Sequence, residues 1–153
     1  MPPSDQPIQT FEFIKEEIID APIEIVFESL LDELGPEGQM PDGKPMAMKL
    51  EPWPGGRWFR DLGDNAGHFW GHVQVIKPPT LLEISGPFFM SYPAANHAQY
   101  RLAAEGSTTR LKFTHKAIGV IPKEHRDGME MGWNYKLKRV RELAAGRRSA
   151  NRK

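Results

Sequence analysis

The chain has 153 residues, no cysteine and formal charges that cancel. That length supports one domain able to bury about 70% of the surface its unfolded form exposes, and the missing thiols exclude disulfides, thiolate nucleophiles and cysteine-ligated zinc. A neutral total gives no global attraction to nucleic acid. Met1 to Thr10 is polar and proline-containing, without a basic lead or apolar stretch, and residues 1–10 read as a disordered tail of a cytoplasmic protein. No uninterrupted apolar run approaches a membrane span, so no membrane insertion is expected. Charge is nevertheless segregated: residues 1–35 carry nine acidic side chains against Lys15 alone, and Lys136 to Lys153 carry eight basic ones against Glu142. The basic run, with its tail at 146–153, reads as a solvated helix end rather than a nucleic-acid contact, because cations suit a helix C-terminus.

Phe11 to Ile19 mixes aromatic, β-branched and charged residues and reads as a first strand. Asp20-Ala21-Pro22 starts a helix, with Pro22 expected at its first position, and Ile23, Val26, Phe27, Leu30, Leu31 and Leu34 form its apolar face. Gly35-Pro36 ends it. Gly35 to Pro45 is a loop, after which Met46, Met48 and Leu50 alternate with polar neighbours as a half-buried strand. Pro54-Gly55 suits a type II turn, and Gly56 to Leu62 returns as the next strand. Residues 63–67 make a hairpin connection into His68 to Ile76, Pro78-Pro79 stops that strand, and Leu81 to Ser85 begins another. Gly86 to Asn96 is irregular yet carries Phe88, Phe89, Met90 and Tyr92, as a loop folded back on the core would. Tyr100 and Leu102, a turn at Glu105-Gly106-Ser107, and Leu111, Phe113 and His115 make a further hairpin. From about Pro122 to Ala145, Met129, Trp133, Leu137, Val140 and Ala144 lie in one stripe of a long amphipathic helix.

Strand, helix, about six antiparallel strands, then helix, with no internal repeat, is an α+β order and one domain over residues 11–145. A sheet of that many strands curls, and a helix across its concave side leaves room beneath. Such a gap would be lined by Met46, Met48, Phe69, Val73, Val75, Ile84, Tyr100, Leu102, Phe113, Met129 and Trp133, and would be apolar with few polar groups. A filled core is the alternative.

Several landmarks add up to a known pattern. Ala21-Pro22 followed by Val26-Phe27, Pro54-Gly55-Gly56-Arg57, Gly71-His72-Val73 leading to Ile76 and Pro78-Pro79, Gly106 with Thr108-Thr109-Arg110-Leu111, and Gly132-Trp133 with Leu137 occur in order over residues 13–145. In these the chain resembles the START-like (SRPBCC) superfamily, in the branch similar to the C-terminal domain of the Hsp90 ATPase activator. The resemblance implies a helix-grip fold: a curved antiparallel sheet of about six to seven strands wrapped on a long C-terminal helix over a hydrophobic cavity. It implies no single activity, because the superfamily includes lipid carriers, hormone receptors, polyketide cyclases and co-chaperone domains. Relatives carry tryptophans in the regions of Gly35–Pro45 and Gly86–Asn96 that this chain lacks, and both loops are expected at the cavity mouth.

His68 and His72 are four apart, but on a strand that spacing separates their Cα atoms by about 13 Å, which removes a metal site. On the same alternation Phe69, Gly71, Val73 and Val75 face the helix and Trp70 faces out, where it could contact a protein partner or a second copy of the chain. His115 shares a face with Leu111 and Phe113, so it points inward as a polar anchor or general acid/base, with Tyr100 presenting its hydroxyl to the same space. Arg60 or Asp61 could enter from the third strand. Trp53, Trp58 and Trp70 near Arg57 and Arg60 suggest stacking on nucleic acid, against which the acidic first third argues. No Ser-His-Asp order, phosphate-cradling loop or paired carboxylate is evident, and no cofactor is expected. The readings are therefore a binding module for a small hydrophobic or amphipathic molecule, with His115 and the cavity residues as its ligand contacts, a cyclase-like enzyme using His115 and Tyr100, or a chaperone-associated interaction module.

Overall fold

Alternation along the first strand turns Phe11, Phe13 and Ile19 toward the core and leaves Glu12, Ile14 and Glu16 in solvent. The computed structural model describes residues 7–151. Its elements are β1 (Gln9–Ile19), α1 (Ile23–Leu34), β2 (Lys49–Leu50), β3 (Arg57–Gly63), β4 (Ala66–Lys77), β5 (Leu81–Gly86), β6 (Ala94–Glu105), β7 (Thr108–Gly119) and α2 (Lys123–Asn151). All strands join one antiparallel sheet in the order β1-β7-β6-β5-β4-β3-β2. The α+β helix-grip arrangement is thus the observed one: a seven-stranded sheet with a long C-terminal helix across it. Residues 1–6 of the expected N-terminal tail and 152–153 at the other end lie outside the described residues.

Helix α1 begins one residue later than expected. Pro22 is its N-cap, with an extended ψ of 153°, rather than its first helical residue. At the other end the Trp58 indole Nε1–H donates to the Leu34 carbonyl at 2.7 Å, satisfying one of the acceptors that a helix terminus leaves open. Trp58 is therefore buried and unavailable for stacking on nucleic acid. Helix α2 buries Met129, Trp133, Leu137, Val140 and Ala144 as a single stripe. It also continues past Ala145 to Asn151. Its basic end is not merely solvated: Arg141 pairs with Glu17, Arg147 with Asp32, and Arg148 with Asp20 at 2.7 Å, so the acidic first third of the chain supplies its partners.

Two strand expectations need correction. Pairing places Trp58 opposite Gly71 and Phe59 opposite Phe69, so Trp70 is an extra residue in β4, a β-bulge that reverses the alternation. Trp70 consequently turns inward and is 8% exposed, whereas Phe69 lies on the outer face at 44%, its ring against His72. A second bulge at Gln74 sets Val75 opposite Glu83 and turns Ile76 onto the core instead. The first bulge is locked by a close backbone approach. A Cβ on Gly86 would lie 2.4 Å from the Gly71 Cα and the Trp70 carbonyl, so glycine is required there. The predicted strand from Met46 shrinks to Lys49–Leu50, because Met46 and Met48 bond through their backbone N–H groups to the Gly38 and Gly35 carbonyls after α1 rather than to a strand.

The helix is fixed to the sheet by a chain of buried hydrogen bonds. The Trp133 indole Nε1–H donates to His115 Nδ1 at 2.9 Å. His115 Nε2 must then carry the proton, and it donates to Asn96 Oδ1 at 2.7 Å. The Asn96 amide in turn donates to the Gly86 and Pro87 carbonyls, each at 3.2 Å. Phe88, at a positive φ of 58°, packs its ring between Trp58, Trp133 and His115. Such a backbone costs about 1–3 kcal/mol for a residue with a Cβ, which this packing must offset.

Burial, with His97 nearby adding to it, holds the His115 imidazole down at about 4. The unfolded chain therefore takes up a proton that the native state refuses, and stability falls as pH drops from about 6.5 to about 4, by about 3 kcal/mol in all. Glu33 acts oppositely: burial raises its carboxyl, so the native state gains a proton first and stability rises as pH falls toward 4.5. Urea midpoints across this range in the native protein and in His115→Gln isolate the histidine contribution; equal pH slopes would contradict it. Trp133→Phe, which leaves His115 Nδ1 without its donor, should cost about 1–3 kcal/mol in the same titrations.

Candidate functional site

The open space lies beside the first half of α2 rather than beneath its middle. A groove of about 360 Å³ runs from Glu124 and His125 in the first turn, past Gly128, Met129, Gly132 and Trp133, to Tyr135 and Lys136. At 1.5 Å per residue, that is a length of about 18 Å. Its opposite wall is Gln39, Met40, Pro41 and Met46 from the segment after α1, with Trp70 from the β4 bulge and Phe89 from the β5–β6 loop. Both segments expected at the mouth, Gly35–Pro45 and Gly86–Asn96, contribute to it.

Of the residues expected to contact a ligand, Met46, Met129 and Trp133 are in this wall. Met48, Val73, Ile84, Tyr100, Leu102, Phe113 and His115 are instead packed in the interior, where Phe113 meets Trp133 with ring centroids 4.5 Å apart. Phe69 is on the far face of the sheet. Sequence reasoning missed Trp70 and Phe89 because neither a bulge nor a loop has a period to read. It also missed Gly128 and Gly132 as groove residues, whose signal was present: two glycines four apart on the groove-side edge of an otherwise well-formed helix, each with open space where a Cβ would stand.

Polar groups are few and sit at the two ends. At the outer end the Tyr92 hydroxyl bonds His125 Nδ1, and Phe89 stacks edge-on to the same imidazole, joining the β5–β6 loop to the start of α2. At the inner end the Tyr135 hydroxyl donates to Gln39 Oε1 at 2.8 Å, and Lys136 Nζ donates to Glu33 Oε1 at 3.1 Å. Glu33 is 1% exposed, and desolvation raises its carboxyl despite the opposing pull of Lys136 and Arg139. The proton-transfer pair expected of His115 and Tyr100 is not assembled in the groove. Both histidine nitrogens are engaged by Trp133 and Asn96, and burial pushes the Tyr100 hydroxyl upward, away from ionisation. Asp61 is outside, paired with Lys49 at 3.0 Å, and both His68 and His72 are exposed on β4.

A comparison with curated proteins gives no match. Among solved structures, an uncharacterized protein from Rhizobium leguminosarum superposes with a TM-score of 0.70 at 16% identity, covering 91% of this chain and 97% of its own. SA2116 from Staphylococcus aureus gives 0.68 at 12% identity over 95% and 98%, and CV1439 from Chromobacterium violaceum gives 0.64 at 20% over 87% and 96%. These likenesses carry the fold. Residues 20–145 match the family model described as Activator of Hsp90 ATPase homolog 1-like protein. The chain belongs to that family, within the START-like fold group that the sequence pattern resembles.

Proposed function

We propose that this domain binds a small hydrophobic or amphipathic molecule in the groove along α2. The observation that carries the reading is the pair Gly128 and Gly132. Glycine inside a helix costs about 1 kcal/mol relative to alanine, yet both positions border an apolar groove and meet nothing within 4 Å of a built Cβ. The cost is explicable if the space above them is used. Met46, Met129, Trp70, Trp133 and Phe89 offer a ligand apolar and aromatic contact, and the size of the groove suits a small molecule. An interaction module built on an outward Trp70 is less well supported, since that side chain is buried.

Leucine at either glycine should fill the groove while improving the helix. For Gly132→Leu and Gly128→Leu, the melting temperature should hold or rise, and ligand-dependent changes in Trp70 and Trp133 fluorescence should disappear. The ligand is first found by native mass spectrometry of gently purified protein and a thermal-shift screen of fatty acids, sterols, polyketides and flavonoids, in which a true ligand raises the melting temperature with its concentration. Leucine variants that bind as the native protein does would overturn the assignment of the groove.

A further inference from the structure

The face of the sheet turned away from α2 carries an arrangement of charge that the groove does not explain. One row of the strand register passes through Lys77, Leu81, Arg101, Lys112 and Glu16, on β4, β5, β6, β7 and β1. Tyr100, Leu102, Leu111 and Phe113 flank its central members and are buried on the inner side, so Arg101 and Lys112 stand exposed on the outer one. These two face each other directly across β6 and β7, and like charges so placed are destabilising. Elsewhere on this face the pairing is complementary: Lys116 stands opposite Glu12 and binds it at 3.3 Å. Glu16 does not relieve the row, although it stands opposite Lys112, because it turns to Arg110 at 3.1 Å, and Glu105 goes to Arg110 as well, at 2.8 Å. Arg101 Nε donates to Gln99 Oε1 at 3.1 Å, and among the described residues Lys77, Arg101 and Lys112 are in no ion pair. All three line one depression of about 420 Å³, together with Leu81 and Ala103.

From this arrangement we infer that the depression is a binding site for a phosphate monoester of a small soluble molecule, with its phosphoryl oxygens on Lys77, Arg101 and Lys112 and its body against Leu81 and Ala103. A phosphate monoester brings close to two negative charges at pH 7 and three acceptor oxygens, enough to meet three cations that come from three different strands. The guanidinium offers a flat pair of N–H donors to two of those oxygens, and the ammonium groups act as point charges beside them. A single carboxylate has one charge and leaves the opposed cations largely uncompensated. An anionic membrane surface fits less well, because the same face would press Glu12, Glu16 and Glu105 against the headgroups. This site is separate from the groove and stands without it.

The test uses the full chain at fixed ionic strength. Phenyl phosphate and benzoate are the soluble probes, read by calorimetry and backbone amide shifts, and phosphatidylcholine vesicles with and without phosphatidic acid are the membrane probe. Phenyl phosphate should bind saturably and move the amides of Leu81, Arg101 and Lys112, and benzoate should bind at least about tenfold more weakly, since it forfeits a hydrogen bond to a charged group. Lys112→Gln should weaken phenyl phosphate by a similar factor, while its melting temperature in phosphate-free buffer holds or rises because the opposed charges are gone. Lys116→Gln removes the same charge from the same face, about 13 Å along β7, and should leave the affinity unchanged. Absence of saturable binding, or equal weakening in the two variants as diffuse charge would give, overturns the site. Binding of phosphatidic acid vesicles without binding of phenyl phosphate overturns the soluble source.

Discussion

The hydrogen-bonded line from Trp133 through His115 to Asn96 is the interaction on which the rest depends. Each member belongs to a different element, α2, β7 and β6, and the last of them holds the β5–β6 loop by its backbone carbonyls. Buried polar groups are favourable only when every donor and acceptor is matched, and here the neutral imidazole is matched at both nitrogens. This fixes the rotation of α2 about its axis. Once Trp133 is committed to His115, Met129 and the two glycines must face the side where the groove forms. Phe88 is then packed against the same pair of rings, and its strained backbone carries the adjacent Phe89 outward to become a wall. A histidine that reads from sequence as a candidate acid/base thus serves as the pin of the helix.

Periodicity decided what could be read in advance. The stripe from Met129 to Ala144 follows the helical period without interruption, and every residue in it is buried where expected. Strands β6 and β7 alternate cleanly through Tyr100, Leu102, Leu111, Phe113 and His115, and these too point inward. Strand β4 fails the same logic twice, because a bulge adds one residue and flips every side chain beyond it. Nothing in the composition of residues 66–77 announces that insertion. Its physical trace is the approach of Gly71 to Gly86, two glycines from different strands whose pairing no single-strand pattern can reveal. The inward turn of Trp70 therefore had to come from the structure, and with it the position of the groove.

Charge segregation was visible in the sequence, but its meaning lay in the fold. Acidic residues near the start of the chain and basic ones near the end become neighbours when α2 crosses β1 and α1, joining Glu17, Asp20, Asp32 and Glu33 to Arg141, Arg148, Arg147 and Lys136. Most of these pairs are at least partly exposed and each is worth little in isolation. Their common direction still favours one placement of the last turns of α2, and this explains why the helix persists beyond its apolar stripe. Glu33 and Lys136 are the exception, since the carboxylate is buried and the ammonium half-buried, and their geometry therefore matters more than their number.

Strand β1 has its sheet partner in β7, with Gln9 opposite Gly119 and Ile19 opposite Thr109. The two strands are separated by about a hundred residues of chain, so their pairing is among the most sequence-distant contacts and closes late. During synthesis from the N-terminus, β1 and α1 leave the ribosome with their apolar faces unmatched, and they stay so until β7 and the helix after it have been made. Until then the nascent segment presents a long unpaired strand edge and an amphipathic helix, two features prone to wrong association. The sheet therefore closes only once β7 is available to β1, in one step rather than strand by strand.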